Sequence, residues 1–294
     1  MILKKNQLKK DNILILGSTS FLSSYLQKEL NSKAKLFLYS RKSPIFDLYN
    51  FRSCYKFLTV NKINFIINCI ADTSLESNEK SLERSIQNNT LPIIQIIKAA
   101  KKSLYLKGFI HISTDQVYSG KKTYFNETDN PNPLNIYSKV KLLTENIVKD
   151  YNRALIIRTN FFGYNKNFKN NIVSWFLNNI KNSKKTFGYT NIFFNPVHAS
   201  TLCEFISSIL NNYKFGIFNL SCSDRISKYF FLKKIKILLS NKNNFLLHKS
   251  KYFNNDIVRP FNMSLDSSKI AKEFNFVIPK INDEIKKIQK ELVK

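Results

Sequence analysis

Tyr137 and Lys141 are the residues of this chain whose types and spacing suit acid–base chemistry. Apolar residues recur at helical spacing through residues 135–151, which predicts a helix there. Residues four apart share one face of a helix, so the phenol and the ammonium would lie side by side. Because a nearby positive charge favours the phenolate, we expect Lys141 to lower the pKa of Tyr137. Thr114, at the end of an apolar strand, could bind the same substrate oxygen, and the three would then deliver a proton to a carbonyl or carbinol.

An apolar strand, a glycine and a helix open the interpretable part of the chain. Residues 12–17 predict a strand that ends at Gly17, and the apolar stripe that follows predicts a helix. This order is typical of a dinucleotide-binding unit, in which the helix N-terminus faces a phosphate. Ser20 and Ser23 stand where further glycines are usual, and their Cβ atoms restrict how closely a pyrophosphate can approach. The predicted cofactor turn comprises Gly17, Ser18, Thr19, Ser20, Phe21 and Leu22.

The second predicted strand, residues 35–40, bears on the choice of cofactor. It ends in Arg41 and Lys42, where an NAD site would have an acidic residue for the ribose 2′-hydroxyl. Two cations suit a 2′-phosphate, so NADP(H) is favoured and NAD(H) stays open. An equal alternative is that both belong to a lysine-rich surface. Asp47 and Leu48 are expected to close a short third strand near the adenine.

Strand and helix patterns alternate along the rest of the chain. They predict an α/β fold, a Rossmann-type doubly wound parallel sheet with a smaller C-terminal substrate-binding lobe. The expected division is a dinucleotide-binding domain over 12–163, its sheet completed by later segments, and mainly the lobe over 164–294. Further strands are predicted at 64–71, 108–114, 153–160 and 216–221, and helices at 81–102, 171–182, 199–211, 227–240 and 282–294.

Composition argues against several classes of function. The formal net charge is +27, but lysine is spread along all 294 residues without a basic stripe interleaved with aromatics, so we expect no nucleic-acid partner. No apolar run approaches the ~20 residues of a membrane span. The basic residues 1–12 lack the apolar stretch of a secretory signal. The four scattered cysteines predict reduced thiols in a cytoplasmic protein, and no metal site is expected.

Seven stretches, taken in order and spacing, resemble the extended short-chain dehydrogenase/reductase family. Within it they look most like the branch of dTDP-4-dehydrorhamnose reductase and related sugar-nucleotide reductases. The resemblance covers about residues 12–290, and its most specific blocks are STDQVYSG and NPLNIYSKVK. The stretches are 15–20, 68–74, 111–120, 132–141, 158–163, 216–229 and 259–269.

The resemblance implies NAD(P)H-dependent reduction of a nucleotide-linked 4-keto-6-deoxy sugar for surface polysaccharide synthesis, in an enzyme that can form a homodimer. It assigns catalysis to Thr114, Tyr137 and Lys141, with the last two also binding the cofactor. It places Ile70, Ala71 and Asn88 along the cofactor. These three add to the turn residues, Arg41, Asp47 and Leu48, which were named above as cofactor-binding. It implies substrate contacts from Asp115, Val117, Asn160 and Arg259.

Two other interpretations stay open. An epimerase or dehydratase of the same superfamily would regenerate its cofactor in each cycle. A non-catalytic binding or regulatory subunit on this fold would fit the serine-substituted turn at Ser20 and Ser23, although the retained Thr, Tyr and Lys argue against it.

Overall fold

Six parallel strands form the centre of the protein. The computed structural model describes residues 11–168, 171–239, 245–253 and 257–292. The strand order is β2-β1-β3-β4-β5-β10, and every pairing is parallel. The strands are β1 Asn12–Leu16, β2 Lys35–Tyr39, β3 Phe65–Asn68, β4 Gly108–Ile112, β5 Ala154–Thr159, β6 Phe161–Phe162, β7 Thr186–Tyr189, β8 Phe193–Phe194, β9 Val197–His198, β10 Gly216–Leu220, β11 Ile226–Ser227 and β12 Leu247–Ser250.

Helices cover both faces of this sheet, which is why its inner strands are continuous apolar runs. The helices are α1 Phe21–Leu30, α2 Phe51–Val60, α3 Leu75–Lys80, α4 Leu82–Asn89, α5 Leu91–Lys102, α6 Ile136–Lys149, α7 Ile172–Lys181, α8 Ala199–Ile209, α9 Lys228–Leu238, α10 Ser268–Phe274 and α11 Ile281–Leu292. One core cluster joins the sheet to α1, α8, α9 and α11. The other joins it to α2, α5 and α6. The predicted doubly wound α/β fold is confirmed.

Two predicted elements differ from the structure. Residues 47 and 48 lie in a turn rather than a third strand, and the chain passes directly into α2. The helix predicted over 81–102 is two helices, α4 and α5, that meet at Thr90. Pro92 stands in the first turn of α5, where its missing N–H group costs no helical hydrogen bond, whereas it could not continue α4.

The second half of the chain contributes to the main sheet as well as to separate small sheets. Strand β10 pairs with β5 at the sheet edge, as the sequence predicted. The pairs β7–β12, β8–β11 and β6–β9 lie outside the main sheet. The boundary between the cofactor and substrate domains, placed after residue 163, stays a prediction. Residues 1–10, 240 and 293–294, which carry parts of the sequence-based assignments, lie outside the described residues.

Helix α11 is tied to distant parts of the chain by two buried or half-buried carboxylates. Glu291 accepts hydrogen bonds from Tyr25 Oη in α1, at 2.8 Å, and from the backbone N–H of Tyr164, at 2.7 Å. Glu284 accepts from the backbone N–H of His198 and from Thr201 Oγ1, both at 2.6 Å. These bonds fasten α11 to α1, to β9 and to the start of α8.

Two negative findings concern the described residues alone. None of their helices has the length and apolar character that a bilayer span requires. No cluster of three His, Cys, Asp or Glu side chains suited to a metal ion was found in those ranges. All four cysteines are free and buried.

Candidate active site

The turn between β1 and α1 has the geometry that a dinucleotide phosphate requires. Gly17 has φ +80°, and a Cβ there would lie 2.9 Å from the carbonyl carbon and oxygen of Cys69. Only glycine fits this backbone without strain. The ten-residue helix α1 then begins at the carboxyl end of β1, so its free N–H groups and dipole face the same edge of the sheet.

The two serines in place of glycines are built into this turn. Ser20 is the N-cap of α1, and its Oγ accepts a hydrogen bond from the backbone N–H of Ser23 at 3.3 Å. Ser23 is fully buried, and its Oγ accepts from Gln27 Nε2, which also donates to the carbonyl of Ser18. The serines therefore stabilise the turn, and the residues present fit a dinucleotide.

Arg41 lies at the carboxyl end of β2 and reaches across to α4. Its Nη1 donates to Asn88 Oδ1 at 2.6 Å, and Asn88 Nδ2 is 3.4 Å from Asp72 Oδ2. Arg41 is exposed and Asn88 half-buried, so both predicted cofactor residues border the same edge of the sheet. Among the other predicted cofactor residues, Ala71 and Asp47 are exposed, Ile70 is half-buried, and the side chains of Leu22 and Leu48 pack in the core.

Thr114, Tyr137 and Lys141 lie together where β4 ends and α6 begins. The side chain of Asn135 caps α6 in a capping box with Ser138, which fixes the first turn that carries Tyr137. Thr114 accepts from the backbone N–H of Gln116 at 3.2 Å, and its Oγ1 donates to Asp115 Oδ1 at 3.1 Å. Tyr137, at 7% exposure, is close enough to hydrogen-bond the Thr114 side chain.

The expected depression of the Tyr137 pKa by Lys141 was wrong for the chain alone. Burial raises the pKa of Tyr137, and the nearby carboxylate of Asp115 raises it further. Lys141 does not offset these effects, because its Nζ donates to the carbonyl of Ile112 at 2.7 Å and lies 3.4 Å from His111 Nε2. Tyr137 is therefore held as a neutral, proton-bearing phenol.

Asp115 links Thr114 to Asn160. Its Oδ2 accepts from Asn160 Nδ2 at 2.8 Å. Burial raises the pKa of Asp115 to about 6, against the hydrogen bond from Asn160 and the charge of Lys228, which lower it. Asp115 is thus a buried carboxylate that orients Thr114 and Asn160.

Behind the site lies a buried ion pair that the sequence analysis missed. Glu145, two turns after Tyr137 on α6, takes a bidentate interaction from Arg158 on β5, with Nη2–Oε2 at 2.7 Å and Nε–Oε1 at 3.0 Å. Ser113 Oγ donates to Glu145 at 2.5 Å, and Arg158 Nη1 donates to Tyr118 Oη at 2.7 Å. The ion pair locks β4, β5 and α6 into one register, which fixes the positions of Thr114 and Tyr137.

A cavity of about 560 Å³ opens beside this group. Gln116 and Asn160 line it on the side of Thr114 and Asp115. Arg259 and Lys228 bring two cations to its wall, and Glu76, 3.3 Å from Arg259, brings one carboxylate. Lys228 was not predicted, since nothing in a lysine-rich sequence distinguishes it. The side chain of Val117 is fully buried with Tyr118, Phe125 and Leu265 and does not line this cavity, and its contact with substrate stays a prediction. The aromatic lining residues, all partly exposed, are Trp175, Phe187 and Tyr189.

The sheet and the Thr–Tyr–Lys group define an extended short-chain dehydrogenase/reductase fold. The chain belongs to the family described as the RmlD substrate binding domain, whose model matches residues 11–294. The dTDP-4-dehydrorhamnose reductase of Salmonella typhimurium is 30% identical over 163 residues, which cover 53% of this chain and 54% of that protein. The methionine adenosyltransferase 2 subunit beta of Danio rerio is 29% identical over 136 residues, 44% of this chain and 41% of that protein.

Solved structures of the same family share the fold. The dTDP-4-dehydrorhamnose reductase of Bacillus anthracis, in complex with NADP, superposes with a TM-score of 0.87 at 21% identity, covering 96% of this chain and 100% of that one. At that identity the likeness concerns the fold alone. By sequence, the chain spans about half the length of the curated relatives it matches.

Proposed function

We propose that this protein reduces the 4-keto group of a nucleotide-linked 4-keto-6-deoxy sugar with NADPH, in surface polysaccharide synthesis. The observation that carries the proposal is the group of Thr114, Tyr137 and Lys141 beside a cavity with two cations in its wall. The reductase relative from Salmonella typhimurium fits this chemistry.

The chain's own residues supply the proton and its placement. When bound, NADPH supplies the hydride. Tyr137 Oη donates its proton to the carbonyl oxygen as that oxygen gains charge, and Thr114 Oγ1 hydrogen-bonds the same oxygen. Because burial keeps the pKa of Tyr137 high, the phenol still bears its proton at neutral pH. Lys141, on the same helix face, then stabilises the phenolate. Gly17 and the N-terminus of α1 would hold the pyrophosphate.

The proposal is tested with purified protein, NADPH and a panel of 4-keto-6-deoxy sugars linked to dTDP, UDP, GDP or CDP. We expect NADPH oxidation in proportion to product with at least one of them. Tight co-purifying cofactor without net NADPH consumption would instead favour an epimerase or dehydratase. NADPH binding without any turnover would favour the non-catalytic subunit, to which the similarity with methionine adenosyltransferase subunit beta also points.

Replacement of Arg41 by serine should weaken NADPH binding more than NADH binding. A charge-assisted hydrogen bond to the 2′-phosphate would be lost, which corresponds to roughly 10–100-fold in Kd. The measurement is a fluorescence titration with each dinucleotide. Arg52→Ser, on α2, is the matched control and should change neither Kd. An equal loss for both cofactors would contradict 2′-phosphate recognition by Arg41.

Replacement of Lys228 by methionine should raise KM for the sugar nucleotide by roughly 10–100-fold, with a smaller change in kcat. Lys228 lies on the cavity wall near Arg259, and burial lowers its pKa to about 8, so an anionic diphosphate would favour its charged form. Lys233→Met, on the exposed side of α9, is the control. A change confined to kcat would show that Lys228 does not contact the substrate anion.

Assembly and location remain parts of the proposal. A homodimer is the assembly that the family resemblance implies, and size-exclusion chromatography with light scattering tests it. Four free thiols, all buried, suit a reducing compartment, and we infer a cytoplasmic enzyme. No nucleic-acid partner is proposed, and salt-dependent binding to DNA or RNA would contradict this.

A further inference from the structure

His111 is a buried histidine that the reaction described above does not use. It lies in the middle of β4 with no exposed surface, and its two ring nitrogens face two different side chains. Nδ1 lies 2.8 Å from Asn68 Nδ2, and Nε2 lies 3.4 Å from Lys141 Nζ. It therefore contacts a proposed catalytic residue directly.

The hydrogen bonds around Asn68 decide where the His111 proton lies. Asn68 Oδ1 accepts from the backbone N–H of Ile70 at 3.1 Å, which fixes the amide so that its NH₂ group faces the histidine. An amide NH₂ can only donate, so Nδ1 of His111 must accept. Burial is the main cause that lowers the pKa of His111 well below its usual range, so the ring is neutral and carries its one proton on Nε2.

That proton faces the Lys141 amine. Nζ already donates to the carbonyl of Ile112 at 2.7 Å, so it has one acceptor on one side and one donor, the Nε2–H group, on the other. A neutral amine can donate to one and accept from the other, whereas an ammonium has no lone pair for the histidine. The arrangement therefore favours the neutral amine.

We propose that His111 is a positioning residue for Lys141: its Nε2–H group, oriented by Asn68, sets where the amine lies and how readily it holds a proton. The inference deepens the proposed function and rests on Lys141 acting in it. The other titratable groups that face Lys141 are Glu145 on its own helix and Cys69 after β3. Burial lowers the pKa of Lys141 to about 8, although Glu145 and Cys69 both favour the charged form and so raise it.

The proposal predicts how kcat/KM depends on pH. A charged Lys141 stabilises the phenolate that Tyr137 leaves behind, so kcat/KM should fall as pH rises through the pKa of Lys141. Replacement of His111 by leucine removes the Nε2–H donor that faces Nζ and adds no other polar group. The pKa of Lys141 should then rise, and the falling limb of the pH profile should move up by roughly one pH unit.

A direct titration separates this inference from the proposed function. Full-length protein labelled with ¹³C at lysine Cε is titrated by NMR. Lys141→Met and Lys228→Met serve to assign the two described lysines whose pKa burial lowers to about 8. We expect the Lys141 resonance to titrate higher in His111→Leu by roughly one pH unit and to stay unchanged in His248→Leu, the matched control. An unchanged Lys141 titration in His111→Leu overturns the proposal even if the enzyme is active.

A second measurement needs no substitution at His111. Long-range ¹H–¹⁵N spectra of histidine-labelled wild-type protein distinguish the two neutral tautomers. We expect His111 to carry its proton on Nε2 at neutral pH. A proton on Nδ1 would contradict the proposal, whether or not the protein reduces any sugar nucleotide.

Discussion

Replacement of Tyr137 by phenylalanine is expected to lower kcat by roughly 10²–10⁴-fold, the usual contribution of a positioned general acid. The phenyl ring keeps the packing of a side chain that is 7% exposed, so only the proton donor is lost. NADPH oxidation with the accepted sugar nucleotide measures the rate, and an NADPH titration shows whether the cofactor still binds.

Tyr151→Phe is the matched control for this change. Tyr151 is also buried, and its Oη makes one long hydrogen bond, 3.4 Å, to the carbonyl of Leu106, far along the chain from the catalytic turn. We expect its loss to leave the rate within a few-fold of wild type. If Tyr137→Phe retained the wild-type rate, the proton would have another source, and the assignment of Tyr137 would be wrong.

Replacement of Glu145 by glutamine is expected to lower the free energy of unfolding by about 3–5 kcal/mol, because it leaves a buried cation without its partner. Arg158 is 1% exposed and Glu145 is fully buried, so each charge depends on its protein partners for stabilisation. Urea denaturation measures the change. Glutamine offers one acceptor oxygen where the carboxylate offers two, so Ser113 and Arg158 would compete for it. The residue before Thr114 would be held less firmly, and a lower kcat should accompany the loss of stability.

Two further variants provide comparisons for the stability of Glu145→Gln. Asp150→Asn removes an exposed ion pair with Lys101, whose side chains are 73% and 43% exposed, and should cost only about 0–1 kcal/mol. The double change Glu145→Met with Arg158→Met should destabilise less than Glu145→Gln alone, since no charge is left buried. If Glu145→Gln were as stable as Asp150→Asn, Glu145 would not be the partner of a desolvated guanidinium.

Local patterns in the sequence were sufficient to predict the strand and the helix that carry the site. The apolar run before Gly17 and the Asn135 cap of α6 specify a strand and a helix through nearest neighbours alone, and both lie where they were predicted. The break between α4 and α5 was missed although its signal, Pro92, was present. The apolar stripe through Leu143 indicated the right helix but not its buried face, because Leu143 is 41% exposed while Glu145 is buried.

What the sequence could not provide were long-range polar partners. Glu145 meets Arg158 and Ser113, and Lys228 meets the cavity, only after strands and helices distant in sequence have packed. A glutamate or a lysine in a sequence does not predict a buried side chain, since charged side chains are mostly exposed. The pKa of Tyr137 was predicted in the wrong direction for the same reason: helical spacing placed Lys141 on its face, but tertiary contacts direct Nζ to β4.

The link between Tyr25 and Glu291 has a consequence for the order in which the chain matures. The two residues are 266 positions apart, yet Tyr25 belongs to the helix that follows the Gly17 turn. A ribosome synthesises residue 25 long before residue 291, so α1 must wait for this contact until 266 more residues have been added. A helix that is made early is therefore completed late.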